Sequence, residues 1–196
     1  MKRSALALLG ATLAACSQPA QETDAPAAAA PAQQSVQTGN PGCAAAAQRL
    51  WQAAALRLTI EARLAGPACD KMIAVLSIRD GTGRPLYADA APIAAIPLAF
   101  NPQADEEAMT RDVAAWISGS GQPATARALP AWRAGSAAPP PAFFAMIDRA
   151  AYEAARAEAW PLFCYPNGAE SAACVAADVR RGTVLRLGDL RPEAAP

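Results

Sequence analysis

The chain has 196 residues, 17 basic and 17 acidic side chains, five cysteines, no histidine, and 53% nominally hydrophobic residues. Alanine supplies 55 of them, so the large apolar side chains suffice for one modest domain and not two. Without histidine, Ser-His-Asp and Cys-His catalysis and most zinc and haem sites are excluded; balanced charge argues against nucleic acid, and no apolar run reaches the length of a spanning helix.

Lys2 and Arg3 open the chain, and residues 5–14 form an apolar stretch too short to persist as a spanning helix. It ends in Leu13-Ala14-Ala15-Cys16. These small residues ahead of a cysteine resemble the lipobox of bacterial lipoproteins. The resemblance covers residues 1–16 only. It implies that residues 1–15 are a signal peptide, that Cys16 is lipidated (palmitate among its acyl chains) and becomes the mature amino terminus, and that a membrane is the first partner. Ser17 stands where an aspartate retains enteric lipoproteins at the inner membrane. The resemblance therefore implies a cell-envelope location at the outer membrane, facing the periplasm.

Residues 17–42 carry one large apolar side chain, Val36, among Ala, Gln and Pro. Such a segment buries too little to offset its ordering entropy and is expected to be a disordered tether reaching roughly 30 Å as a coil. The folded domain is expected over residues 43–196. Alanine-rich residues 43–55 read as a helix. Leu56, Leu58, Ile60, Ala62 and Leu64 alternate with polar residues, which predicts a strand over residues 56–64. Residues 72–78 predict a second strand, and Asp80-Gly81-Thr82-Gly83 a turn into a third over residues 84–89. Asn101-Pro102 is expected to start a helix with the stripe Met109, Val113, Trp116 and Ile117, stopped by Ser118-Gly119-Ser120-Gly121. A long Gly/Pro/Ala segment follows over residues 118–142. Asp148 is expected to cap a helix to about residue 159, before strands over residues 162–165, 173–179 and 183–187. The fold class expected is α+β: one small domain, an antiparallel sheet with short packed helices, and two disulfides.

With Cys16 taken by lipid, export to an oxidising compartment leaves Cys43, Cys69, Cys164 and Cys174 for two structural disulfides; free thiols or histidine-free metal ligation are the alternatives. Of the three connectivities, Cys43–Cys69 with Cys164–Cys174 fits best. A hairpin loop centred near Ala169 brings the second pair together, and the 43–55 helix doubling back along the next strand brings Cys43 to Cys69. No metal ligand set and no cofactor is expected.

Catalytic readings are weak. Asp105, Glu106, Glu107 and Asp112 could serve acid–base chemistry, but acidic residues in a first helical turn are favoured by the helix dipole. Ser118 and Ser120 lack the glycine spacing of a nucleophile elbow, and Lys71 lacks a serine three positions before it. Trp132 beside Arg133, within the long loop, has the composition of a binding hot spot, but Trp132 tucked beneath the loop to hold it down is the reading preferred over it. The function expected is a non-enzymatic binding, structural or accessory module of the envelope, with an envelope protein or cell-wall component as partner and no nucleic acid. The alternatives are an inhibitor or accessory factor of an envelope hydrolase, or a carboxylate hydrolase using some of Asp105, Glu106, Asp112 and Asp148.

Overall fold

A computed structural model describes residues 42–119 and 122–191. The expected signal peptide over residues 1–15, Cys16, the expected tether up to residue 41, Ser120 and Gly121 of the expected helix stop, and residues 192–196 lie outside the described residues. Within them the order is β1 (Cys43–Ala53), β2 (Leu56–Gly66), β3 (Ile73–Arg79), β4 (Pro85–Pro92), α1 (Glu106–Trp116), β5 (Phe143–Ala145), α2 (Arg149–Ala157), β6 (Leu162–Pro166), β7 (Ala172–Asp178) and β8 (Thr183–Leu190). The class is α+β with strands dominant, and the strands form two antiparallel sheets, β1-β2-β3-β4 and β5-β8-β7-β6.

Strand β2 is built by its alternation: Leu58, Ile60, Ala62 and Leu64 point inward and are buried, while Arg57 and Arg63 are exposed. The expected helix over residues 43–55 is instead β1, paired with β2 through eleven positions from Cys43↔Gly66 to Ala53↔Leu56. Ala45, Trp51 and Ala53 fill the inward positions and are buried, whereas Ala44, Ala46, Gln48, Leu50 and Gln52 face outward. Alanine's helix preference amounts to a few tenths of a kcal/mol per residue, and an eleven-residue ladder outweighs it. Residues Ala54 and Ala55 make the tight hairpin, with Ala54 at φ 54° and the Gln52 amide donating to its carbonyl at 2.6 Å.

Helix α1 starts later than expected. Asp105, not Asn101, is its N-cap, accepting from the Ala108 N–H at 2.8 Å; Asn101 holds a turn by accepting from the Gln103 N–H at 3.0 Å. The stripe Met109, Val113, Trp116 and Ile117 is buried as its spacing indicates. Asp148 caps α2 through the Ala151 N–H at 2.8 Å. The three-residue β5 was not foreseen; it lies along β8, where a Cβ on Gly188 would fall on the Phe144 carbonyl.

Burial divides into two cores around the second sheet. One joins the inward face of the first sheet, α1, and Phe163, Tyr165, Ala173, Val175 and Val184. The other joins the opposite face, through Leu162, Cys164, Cys174 and Leu187, to Tyr152 and Ala155 of α2 and to Leu129 and Trp160. The layers are thus the first sheet, then the second sheet with α1 beside it, then α2 with the loop before it. Among the described residues, none packs on the outward face of the first sheet.

Both expected disulfides are present. Cys43–Cys69 closes 26 positions and Cys164–Cys174 closes ten. The latter pair sits directly opposite in the β6–β7 register, about a loop centred on Ala169. The former forms for a different reason from the one expected: strand β1, not a returning helix, delivers Cys43 opposite Gly66, beside the 3-10 turn Cys69–Lys71.

Candidate functional site

A connected polar cluster spans the seam between the two sheets. Alternation along β4 sends Tyr87 and Asp89 inward, opposite Ile78 and Leu76 of β3. From the second sheet, Tyr165 of β6 donates its phenol proton to Asp89 Oδ2 at 2.6 Å. Having one proton, Tyr165 must then accept from the Tyr87 hydroxyl, 2.7 Å away. Arg186 of β8 spans two carboxylates, at 3.4 Å from Asp89 Oδ2 and 2.7 Å from Asp189 Oδ1. Asp189 also accepts from the Asn167 amide at 3.2 Å, and Asn167 accepts from the Ser171 hydroxyl at 2.9 Å. Asp89 Oδ1 is filled by the Ala90 N–H at 2.9 Å. Beside the cluster, the Trp116 indole donates to the Pro166 carbonyl at 2.7 Å and meets the Tyr165 ring edge-on at 5.8 Å.

Electrostatics follow from burial. Tyr165 is driven far above the usual phenol range by burial first, reinforced by the neighbouring Tyr87 and by its bond to Asp89. Tyr87 is raised as well, again mainly by burial. Burial opposes the charge on Arg186, but the hydrogen bond and charge of Asp189 outweigh it, and its pKa is raised. The phenols are thus held neutral and the guanidinium charged. The crevice against Asp89, Trp116, Tyr165 and Asn167 has a volume of about 10 Å³, room for roughly one water. Apart from the buried Arg186 Nε, these groups satisfy one another. The geometry suits a lock between sheets.

The residues singled out in the sequence are dispersed. The Trp132 indole donates to the Ser136 carbonyl at 3.1 Å, its ring meets Tyr152 edge-on at 5.7 Å, and Arg149 lies 5.7 Å over its face. Arg149 donates to the same Ser136 carbonyl at 2.8 Å. Trp132 is therefore tucked beneath its loop as a partly buried edge of the second core, while Arg133 points to solvent. Asp105 and Asp148 are spent as N-caps on helices of different cores, Glu107 is paired with Arg111 at 2.7 Å, and Asp112 approaches the Asn101 N–H at 3.5 Å. These carboxylates do not converge. Asp178, which sequence reasoning passed over, is a buried carboxylate; it accepts from the Arg180 and Arg181 N–H groups and the Arg181 guanidinium, each at 3.1 Å, and fixes the β7–β8 turn. Its Asp-x-Arg-Arg-Gly context was the available turn signal.

Among the described residues no group of three or more Asp, Glu or Cys is placed to hold a metal ion, and no helix is long and apolar enough to cross a membrane. A cleft of about 270 Å³ lies between Arg49 and Trp51 of β1 and Phe163 of β6, with Arg49 stacked 5.0 Å over the Phe163 ring. A broader hollow of about 660 Å³ is lined by Leu98, Pro166, Ala172 and Leu190 with Glu170 and Arg191. No family model, no curated protein and no solved structure matches the chain.

Proposed function

We propose that the chain is a lipid-anchored lipoprotein of the bacterial cell envelope, whose domain over residues 43–196 serves as a non-enzymatic binding or structural module. Residues 1–15 act as the signal peptide, Cys16 carries the lipid, and residues 16–42 space the domain from the outer membrane on its periplasmic side. The observation that carries this reading is Leu13-Ala14-Ala15-Cys16 behind a basic start and a short apolar stretch. Two disulfides in so small a domain support a compartment outside the cytoplasm. The partner is an envelope protein or cell-wall component. The absence of histidine and the use of Asp105 and Asp148 as helix caps favour binding over hydrolysis.

Fractionation of the native envelope tests it. Wild-type chain is expected in the membrane fraction, and Cys16→Ser either as an uncleaved precursor or released as soluble periplasmic protein. Wild-type chain recovered in the soluble fraction overturns the reading.

A further inference from the structure

We infer that the outward face of the β1–β4 sheet rests on the anionic lipid surface to which the chain is anchored. This inference rests on the lipoprotein reading above and adds an orientation to it. Among the described residues none packs on this face, and its first cross-strand row, Ala44–Ala65–Ile73–Pro92, is wholly apolar; Val75 follows in the next row beside Arg63. Ile73 and Val75 stand 45% and 40% exposed. Contiguous exposed apolar side chains rimmed by polar ones are the signature of a contact surface.

Two observations say what covers it. The first is where the rest of the chain joins. Gly42 enters β1 at the corner of that apolar row, and 26 residues separate Cys43 from Cys16. Even fully extended they reach no further than ~90 Å, so a lipidated Cys16 keeps the domain at a high local concentration of membrane, and the chain from Cys16 joins it at this face's apolar corner. The second is charge. The outward positions of the four strands carry Arg57, Arg63 and Arg79 against the single carboxylate Glu61, which Arg79 engages at 3.1 Å. Three positive charges against one negative leave this face basic, although the whole chain is balanced at 17 and 17. A two-fold contact with a second copy would set that basic face against itself. An anionic lipid surface complements it, and arginines near such a surface attract it within a Debye length.

The test uses the full chain, processed, purified and reconstituted into phosphatidylethanolamine vesicles containing phosphatidylglycerol. A photo-crosslinker is placed by Val75→p-benzoylphenylalanine or, as control on the far layer, by Ala137→p-benzoylphenylalanine. Illumination is expected to give phospholipid adducts several-fold more abundant at position 75 than at position 137. Arg57→Glu with Arg63→Glu is expected to cut the position-75 adducts by at least about fivefold, and raised salt on the parent chain to cut them likewise. Both arginines are exposed, and the salt readout serves if the double variant does not fold. Equal labelling at the two positions, or position-75 adducts to a second copy or another protein, overturns the inference. Mass analysis of the same sample separates the two claims. An unmodified Cys16 overturns the anchor itself, whereas a lipidated Cys16 without position-75 lipid adducts overturns only the orientation.

Discussion

Tyr165 and Asp89 lie 76 positions apart and share a 2.6 Å hydrogen bond that joins the second sheet to the first. Removing either hydroxyl has unequal consequences, because donation runs one way, from the Tyr87 hydroxyl to Tyr165 and from the Tyr165 hydroxyl to Asp89. Tyr165→Phe leaves the half-buried Tyr87 hydroxyl without its acceptor and is expected to cost about 2–3 kcal/mol. Tyr87→Phe removes a donor but leaves Tyr165 bonded to Asp89, and is expected to cost about 1 kcal/mol. Urea denaturation of both variants measures the order, and an equal or reversed pair contradicts this direction of donation.

All three tyrosines, Tyr87, Tyr152 and Tyr165, have raised pKa values, in each case first because of burial, with Tyr152 pushed up to about 12. A phenol raised above its unfolded value of about 10 binds its proton more tightly in the folded state. The stability it contributes is whole below about pH 10 and is lost as pH climbs through the folded values. Spectrophotometric titration at the phenolate band should show the folded protein still un-ionised near pH 10, where the denatured chain is about half ionised. Phenolate appearing in the folded protein at that pH contradicts the burial argument.

Asp105 and Asp148 are structural in this account. Replacing either with alanine frees an N-terminal N–H of α1 or α2 and is expected to lower stability by about 1 kcal/mol. The losses should add, since the two helices serve separate cores. Thermal unfolding of the single and double variants checks both statements.

Ala54 occupies a left-handed conformation at φ 54° in the hairpin joining β1 to β2. A Cβ there costs about 1 kcal/mol that glycine escapes. Ala54→Gly is accordingly expected to stabilise the domain by several tenths to about 1 kcal/mol, as read by the denaturation midpoint. A destabilised variant would contradict the turn geometry.

The same hairpin explains where the sequence misled. A two-residue turn usually announces itself with glycine or asparagine, but here it reads Ala-Ala. Alanine also stands on both faces of β1, inward at Ala45, Ala47 and Ala53 and outward at Ala44 and Ala46, which erases the chemical alternation that exposed β2. With no turn signal and no period, only alanine's propensity remains, and it favours helix. Where side chains differ by face the reading was sound, as in β2, in the stripe of α1 and at the Asp148 cap. The Cys164–Cys174 pairing was legible because one loop sets both register and distance. The seam between Asp89, Tyr165 and Arg186 was not, because nothing local relates strands that meet only when two sheets stack. Trp132 was legible in its tucked reading, because Tyr152 and Arg149 hold it against the domain's own core.

Intact mass of the mature chain, extracted from envelopes with detergent, bears most directly on the central claim. The expected result is a polypeptide that begins at Cys16 and carries a covalent lipid of several acyl chains, enough for stable anchoring where one chain gives only marginal binding. An unmodified polypeptide, whether beginning at Met1 or at any residue after Cys16, would contradict it.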